Sequence, residues 1–361
     1  MANESLGQAR AAKNDEFYTQ YQDIEKEINA YLDLDADAFL GKTVLLPCDD
    51  PEWSNFTKFF AQKFADLGLK KLISTSYAPS SKPSELAYQP TLFETENPEF
   101  DVVKTQKNGK IFTLTRDRSG DGIINVEDLE WHYLEGDGDF RSDEIRNLRN
   151  EADIIITNPP FSLFREFLAW VIESEKQFIL IGNMNALTYR EVFPLIRDNM
   201  LWLGNGFHKG NAYFATPTNR DYAAGVFNES TGLVKFRNAI WFTNMDHGRR
   251  HLPLTLMTQD ENLRFSRHKQ VKGVGYAMYD NYDAIEIPFT DAIPSDFEGV
   301  MGVPISFLDK YSPEQFEIIG LAAGNIRGLA GIPTKTGKDG PYINGKLKYG
   351  RILIRHRNAA K

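Results

Sequence analysis

The stretch Asp153-Ile154-Ile155-Ile156-Thr157-Asn158-Pro159-Pro160-Phe161 decides how this chain is read. Ile154 to Thr157 are all β-branched, the pattern of a short buried strand. Pro159 and Pro160 then remove two backbone donors and fix φ, so the strand cannot continue and the chain turns stiffly. Ser162 to Leu168 predicts a helix opened by a Ser162 cap. Strand, rigid polar loop and helix in succession put the loop at the carboxyl edge of an open α/β sheet, where ligands bind. A Pro-Pro turn that merely closes a strand is the plainer alternative.

The loop carries groups suited to one chemistry. The lone pair of an exocyclic aromatic amine, such as that of adenine, is delocalised into the ring and attacks poorly. Two acceptors aimed at its hydrogens draw the nitrogen towards tetrahedral geometry. The Asn158 side-chain oxygen and the Pro159 carbonyl are the candidates, with the Pro159-Pro160 pair fixing the carbonyl direction in advance. Phe161 is the candidate to stack on the base, a contact worth about 1–3 kcal/mol.

The surrounding chain repeats the strand–loop–helix pattern. Lys42 to Cys48 reads as a buried strand, and Phe56, Phe59, Phe60, Phe64 and Leu67 form a helical stripe stopped by Gly68. Lys71 to Tyr77 is a second strand with no acid at its end, which leaves a ribose-holding group unassigned. Gln177 to Gly182 is a third, followed by a helix over Thr188–Arg197 and late strands at Met200–Gly204 and Asn238–Thr243. Near the start, Phe17, Tyr21, Ile24, Ile28 and Tyr31 recur at helical spacing, and Thr19-Gln20-Tyr21-Gln22 fits a capping box. The fold class expected is α/β.

Residues 78–130 read as an insertion. Asn108-Gly109, between Val102-Val103-Lys104 and Ile111-Phe112-Thr113, signals a hairpin. Asp117, Ser119, Asp121, Ile123 (by its carbonyl), Asn125 and Asp128 have calcium-loop spacing, with Gly122 at the sixth position. A structural calcium ion is one expectation there. A turn capping a helix over Val126–Leu134 is the other.

Composition excludes several classes. The 361 residues are 42% hydrophobic, enough for one large or two ordinary domains. No apolar run is long enough to span a membrane, and Met1-Ala2-Asn3-Glu4-Ser5 lacks the apolar core of a secretory signal. A single cysteine, Cys48, excludes an intramolecular disulfide framework and suits a reducing cytoplasm. The net charge of −9 argues against a generally basic coat, but the charge is segregated. Asp117 to Glu144 holds ten acids against two arginines, whereas Lys235 to Lys272 holds eight Lys/Arg against three acids. Any polyanion-facing surface therefore belongs to the C-terminal half, with Arg249, Arg250, Arg264, Arg267 and Lys269 as candidates beside aromatics; ordinary solvated charge is the plainer reading of each one.

With these residues in place, the chain resembles the amino-group methyltransferases that carry an (Asn/Asp/Ser)-Pro-Pro-(Tyr/Phe/Trp) motif. From Asn158 through Phe167 it is similar to the EcoRI-type DNA adenine methyltransferases. Asp15-Glu16-Phe17-Tyr18-Thr19 resembles an element covering the methionine end of S-adenosylmethionine, with Gln20 where a proline is usual. Cys48-Asp49-Asp50-Pro51 with Ser54-Asn55-Phe56 resembles the family's cofactor loop, which lacks the glycine-rich turn of other methyltransferases. Helix capping by Asp49 or Asp50 is the plainer role. Gly136 to Ser142 resembles a turn beside the cofactor adenine, implicating Asp137 or Asp139 as acceptor and Phe140 as a ring contact; a tight Gly/Asp turn is the alternative.

The resemblance implies a Rossmann-like class I methyltransferase sheet. Residues 1–203 would form the cofactor-binding and catalytic domain. Residues 204–361 would form a target-recognition region whose late strands return to the sheet. It implies methyl transfer from S-adenosylmethionine to the N6 amine of a flipped-out adenine in double-stranded DNA. A monomer is expected, in a bacterial or phage-infected cytoplasm, with any cognate restriction endonuclease not held in a stable complex. The rivals are an RNA or protein-glutamine methyltransferase, which uses the same short motif, and a DNA-binding module with a decayed cofactor pocket.

Overall fold

The β-branched run forms the strand expected of it, and the strands around it fix where the Asn-Pro-Pro loop lies. The computed structural model describes residues 17–47, 49–51, 54–78, 95, 97–207, 211–216, 225–323 and 340–359. Cys48, Asp15 and Glu16 lie outside the described residues. The contact pattern divides the chain into two units, and the division is not a single cut. Met1–Met184 and Gly204–Met245 make the first; Asn185–Leu203 and Asp246–Lys361 make the second.

In the first unit, β1 is Tyr18–Thr19, β2 Thr43–Leu46, β3 Lys71–Ser76, β4 Lys110–Leu114, β5 Glu130–Tyr133 and β6 Ile154–Thr157. β7 is Gln177–Asn183, β8 Ala212–Ala215, β9 Phe227–Asn228, β10 Leu233–Phe236 and β11 Ala239–Thr243. Over the strands of this unit the large sheet runs β5-β4-β3-β2-β6-β7-β11. The pairs β3/β2, β2/β6 and β6/β7 are parallel; β4 and β11 join antiparallel. β2 and β6 are buried at every residue, as parallel strands covered on both faces must be. From β2 the chain first builds outward through β3, then returns to place β6 on the other side. That reversal leaves the carboxyl ends of β2 and β6 side by side at a topological switch point.

The helices follow their apolar stripes. α1 (Tyr21–Leu32) buries Ile24, Ile28 and Tyr31, and α2 (Asn55–Gln62) buries Phe56, Phe59 and Phe60. α3 is Val102–Lys107, α4 Asp143–Glu151 and α5 Phe164–Glu173. A second, smaller sheet runs β1-β8-β10-β9, all antiparallel.

Several local expectations are corrected. Val102–Lys107 is a helix, not a hairpin arm, because the Asp101 carboxylate accepts the amides of Val103 and Lys104 and caps it. Val126–Leu134 is not a helix: a short 3-10 turn at Val126–Asp128 leads straight into β5, where only Trp131 is fully inward. The segment after Pro160 opens as a 3-10 turn over Phe161–Leu163, and α5 starts at Phe164 without a side-chain cap, so Ser162 is not one. Gln20, not Thr19, precedes α1, again with no side-chain cap. Thr188–Arg197 divides into a 3-10 turn over Met184–Thr188 and a short helix over Phe193–Arg197, with Pro194 at its start.

The second unit holds a sheet in the order Ile285–Glu286, Met301–Pro304, Arg351–His356, Phe316–Ala322. Its core includes Tyr279, Tyr282, Ala284, Ala322 and Leu353. Arg351, in the C-terminal strand of this sheet, pairs with Glu286 at 2.7 Å. No helix among the described residues is long and apolar enough to cross a membrane.

Candidate active site

The loops after β2 and β6 are stitched together at their roots. Thr157, the last residue of β6, places its hydroxyl 2.8 Å from the Pro47 carbonyl and 2.6 Å from Asp49 Oδ2. Asp49 Oδ1 accepts the Ser54 hydroxyl at 2.7 Å, and Ser54 caps α2 by accepting the Phe56 amide. The Asp49 carbonyl accepts the Thr57 hydroxyl at 2.8 Å and that of Ser74 at the middle of β3. Asp49 is therefore a buried brace across three strands, and Asp50 is the half-buried acid left at the loop. Thr157 went unremarked in the sequence; its one signal was a hydroxyl ending a run of isoleucines.

Burial pushes the Asp49 carboxyl from 3.8 up to about 7, against the pull of the Thr157 and Ser54 hydroxyls. A carboxyl that holds its proton more tightly folded than unfolded adds stability that is complete below the unfolded pKa. That stability is lost as pH rises through the folded one. The wild-type melting temperature is thus expected to fall with rising pH across the window from 3.8 to about 7. Asp49→Asn removes this dependence, because the amide stays neutral throughout. Parallel melting curves for the two proteins over that range would rule the brace out as a titrating group.

The Asn158 side chain is held by its nitrogen. Nδ2 donates to the Phe17 carbonyl at 2.6 Å, which fixes which end of the amide is which, since an oxygen there would face an oxygen. Among the described residues, Asn158 Oδ1 is buried with no hydrogen-bond partner. An orphaned buried acceptor costs free energy unless a ligand supplies the donor.

Two residues along, the Thr19 carbonyl accepts Nδ2 of Asn55 at 2.7 Å. The extended segment Phe17-Tyr18-Thr19 is thus pinned through alternate carbonyls to the Asn158 loop and to the first turn of α2. Thr19 Oγ1, in a residue 2% exposed, also has no partner among the described residues. Ser54 and Phe56 serve the scaffold: Phe56 is buried edge-on against Trp241.

Phe161 sits in an aromatic box. Phe17 lies near-parallel to it at 6.2 Å, Phe236 edge-on at 5.7 Å and Phe214 edge-on at 6.3 Å. Phe214 is buried, whereas Phe17, Phe161 and Phe236 keep partial access to solvent. Four residues from three distant parts of the chain meet here, because β1 pairs with β8 and β8 with β10.

The Gly136–Ser142 turn arrives at the end of β3. The Ala78 amide donates to the Asp137 carbonyl at 2.8 Å, and Gly109 donates to Gly136 at 2.9 Å. Gly138 has φ +88°, and a Cβ there would press into the Ser76 carbonyl, so glycine alone permits this approach. Asp137, whose carboxylate accepts the Asp139 amide at 3.1 Å, is in this way brought beside the end of β3, which has no acid of its own. Asp139 is engaged by Arg141, whose Nε donates to Oδ1 at 2.9 Å. The Phe140 ring turns inward against Phe167 and Trp170 at 5.1 and 5.7 Å.

The calcium expectation is corrected. Among the described residues no group of three or more His, Cys, Asp or Glu side chains is arranged to hold a metal ion. Asp117 accepts the amides of Gly120 and Gly122 at 2.6 and 2.9 Å, and Asp121 accepts that of Ile123 at 2.8 Å. Asn125 caps Glu127, and Asp128 accepts the amides of Arg118, Ser119 and Asn125. The loop's acids satisfy its own backbone.

Of the basic candidates, Arg250 is turned inward: it is 8% exposed, lies over the Trp202 ring at 3.7 Å and pairs with Asp246. Its position is a packing one, not a phosphate contact. Arg249 pairs with Asp309, Arg264 with Asp260 and Arg267 with Asp291, all in partly or fully exposed positions. Such pairs are worth at most about 1 kcal/mol and exchange readily for another anion. Lys269 is exposed and forms no ion pair among the described residues.

Comparison with known proteins matches residues 5–357 to the family model described as adenine-specific methyltransferase EcoRI. The chain is 39% identical to the Type II methyltransferase M.EcoRI of Escherichia coli, over 99% of this chain and 98% of that one. It is 31% identical to the Type II methyltransferase M.MpnI of Mycoplasma pneumoniae, over 98% of each. No solved structure matches.

Proposed function

Because the chain belongs to the EcoRI family of adenine-specific DNA methyltransferases, we propose that the Asn158–Phe161 loop is where it methylates adenine N6 in duplex DNA. The observation that carries this placement is the orphaned Asn158 Oδ1, oriented by the Phe17 carbonyl. It is an acceptor waiting for an N–H donor, and the target amine brings one. The Pro159 carbonyl takes the second hydrogen, and the two draw the lone pair out of the ring. Phe161 stacks on the base, offsetting the few kcal/mol that flipping it from the duplex costs. The proton leaves once the nitrogen is cationic, so no covalent enzyme intermediate is required.

S-adenosylmethionine supplies an electrophilic methyl group when bound, as methyltransfer by this family requires. The residues fit it. Phe17, Tyr18 and Thr19, with the unpartnered Thr19 hydroxyl, would hold its amino-acid end. Asp50 and Asn55 would line the loop after β2, with Asp49 bracing it, and Asp137 would meet the nucleoside. The strand order of the large sheet, with its switch point between β2 and β6, supports a Rossmann-like class I reading. On that reading the first unit binds cofactor and target base. The second carries Arg249, Arg264, Arg267 and Lys269 towards DNA, and the setting is the cytoplasm where that DNA lies.

The test incubates the protein with labelled S-adenosylmethionine and unmethylated genomic DNA, followed by sequencing that detects modified bases. Methyl on adenine within one short motif is the expected result. Label on RNA or protein but never on DNA would overturn the reading.

A further inference from the structure

The small antiparallel sheet has two faces, and only one has been used. Along β8 and β10 side chains alternate between faces. Phe214 and Phe236 face the aromatic box, with Val234 opposite Phe214. Tyr213 and Lys235 are directly opposite one another on the other face, and the Lys235 ammonium lies 5.8 Å from the Tyr213 ring centre. Tyr213 is 40% exposed. Arg237, one residue beyond β10, is also exposed. Neither Lys235 nor Arg237 forms an ion pair among the described residues, in contrast to Arg249, Arg264 and Arg267. From Gly225 to Met245 the sole acid is Glu229, in the turn between β9 and β10.

We propose that this outer face, formed by Tyr213, Lys235 and Arg237, is a contact surface for the phosphate backbone of the substrate DNA. Lys235 and Arg237, without an ion pair among the described residues, and an exposed hydroxyl-bearing ring match the groups that position a duplex without reading its bases. The placement adds weight: each of these residues is a chain neighbour of Phe214 or Phe236, which touch Phe161. A strand of phosphates gripped here lies across the thickness of this one sheet from the aromatic box around Phe161. The inference rests on DNA being the substrate.

The test measures binding of a duplex carrying the methylated motif across a salt series. Wild-type affinity falls with salt, each neutralised phosphate adding about 0.9 to the log–log slope. Lys235→Ala with Arg237→Ala is expected to flatten that slope by about two and to leave the cofactor-induced thermal shift in place. Lys63→Ala, at an exposed lysine paired with Asp66, is the control with an unchanged slope. Arg237→Ala alone, at the more exposed site, guards against misfolding of the double variant. A wild-type slope in either variant overturns the proposal. A wild type that methylates no DNA would instead defeat the reading beneath it, which the labelling experiment detects separately.

Discussion

Asn158→Ala is expected to lower methyl transfer by at least about 10²–10³-fold while cofactor still binds, the scale on which a preorganised polar group at a reacting centre is felt. The side chain has two separable tasks. Its oxygen is the free acceptor; its nitrogen holds the Phe17 carbonyl at 2.6 Å. Asn158→Asp separates them, since it keeps an acceptor but sets a carboxylate against that carbonyl. Both variants lose the bond to Phe17, but the aspartate adds repulsion there while keeping an acceptor, so it should lose more cofactor affinity and less rate than the alanine variant. Steady-state kinetics with varied cofactor, beside a binding isotherm, distinguishes the two. An alanine variant within tenfold of wild type would remove Asn158 from the chemistry.

Gly138→Ala has the next largest expected effect, and it acts without touching any proposed reacting atom. The substitution meets two obstacles together: a backbone at φ +88° and a Ser76 carbonyl in the path of the new Cβ. Neither is a flexible side chain that can swing away. A loss of about 3 kcal/mol is expected, at the upper end of ordinary single substitutions. If the turn instead lifts off β3, Asp137 goes with it, and the thermal shift given by S-adenosylmethionine should disappear even in protein that remains folded. Gly120→Ala is the comparison: its φ is also positive at +76°, but nothing stands within 4 Å of its Cβ position. It should cost less and leave cofactor binding alone.

The parts of this structure legible from sequence are those whose cause is local. Three isoleucines and a threonine make a strand, two prolines end it, and the phenylalanine stripe makes α2. Asn158 and Phe161 stood out because their neighbours force a loop. The misreadings are local signals outweighed by others nearby. Val102 and Val103 suggested a strand, yet both are more than 60% exposed and Asp101 caps a helix over them. The calcium-like spacing from Asp117 to Asp128 is real, but the acids are consumed by amides within the same loop. What could not be read at all is the box around Phe161. Phe214 and Phe236 are ordinary aromatics in the sequence, Phe17 stood out only within the Asp15–Thr19 element, and the pairing of β1 with β8 and of β8 with β10 brings them together. Arg250 shows the converse, a residue whose charge suggested a surface and whose ring stacking on Trp202 places it inside.

Phe17-Tyr18-Thr19 is only three residues long, yet its first carbonyl is held by Asn158, in the loop proposed to take the base, and its last by Asn55, at the start of α2. It also forms the edge strand on which β8 registers. Any ligand that orders this segment on one side lowers the entropy left to lose on the other. Linkage then makes the effect mutual: by whatever factor bound S-adenosylmethionine tightens the grip on DNA, bound DNA tightens the grip on S-adenosylmethionine.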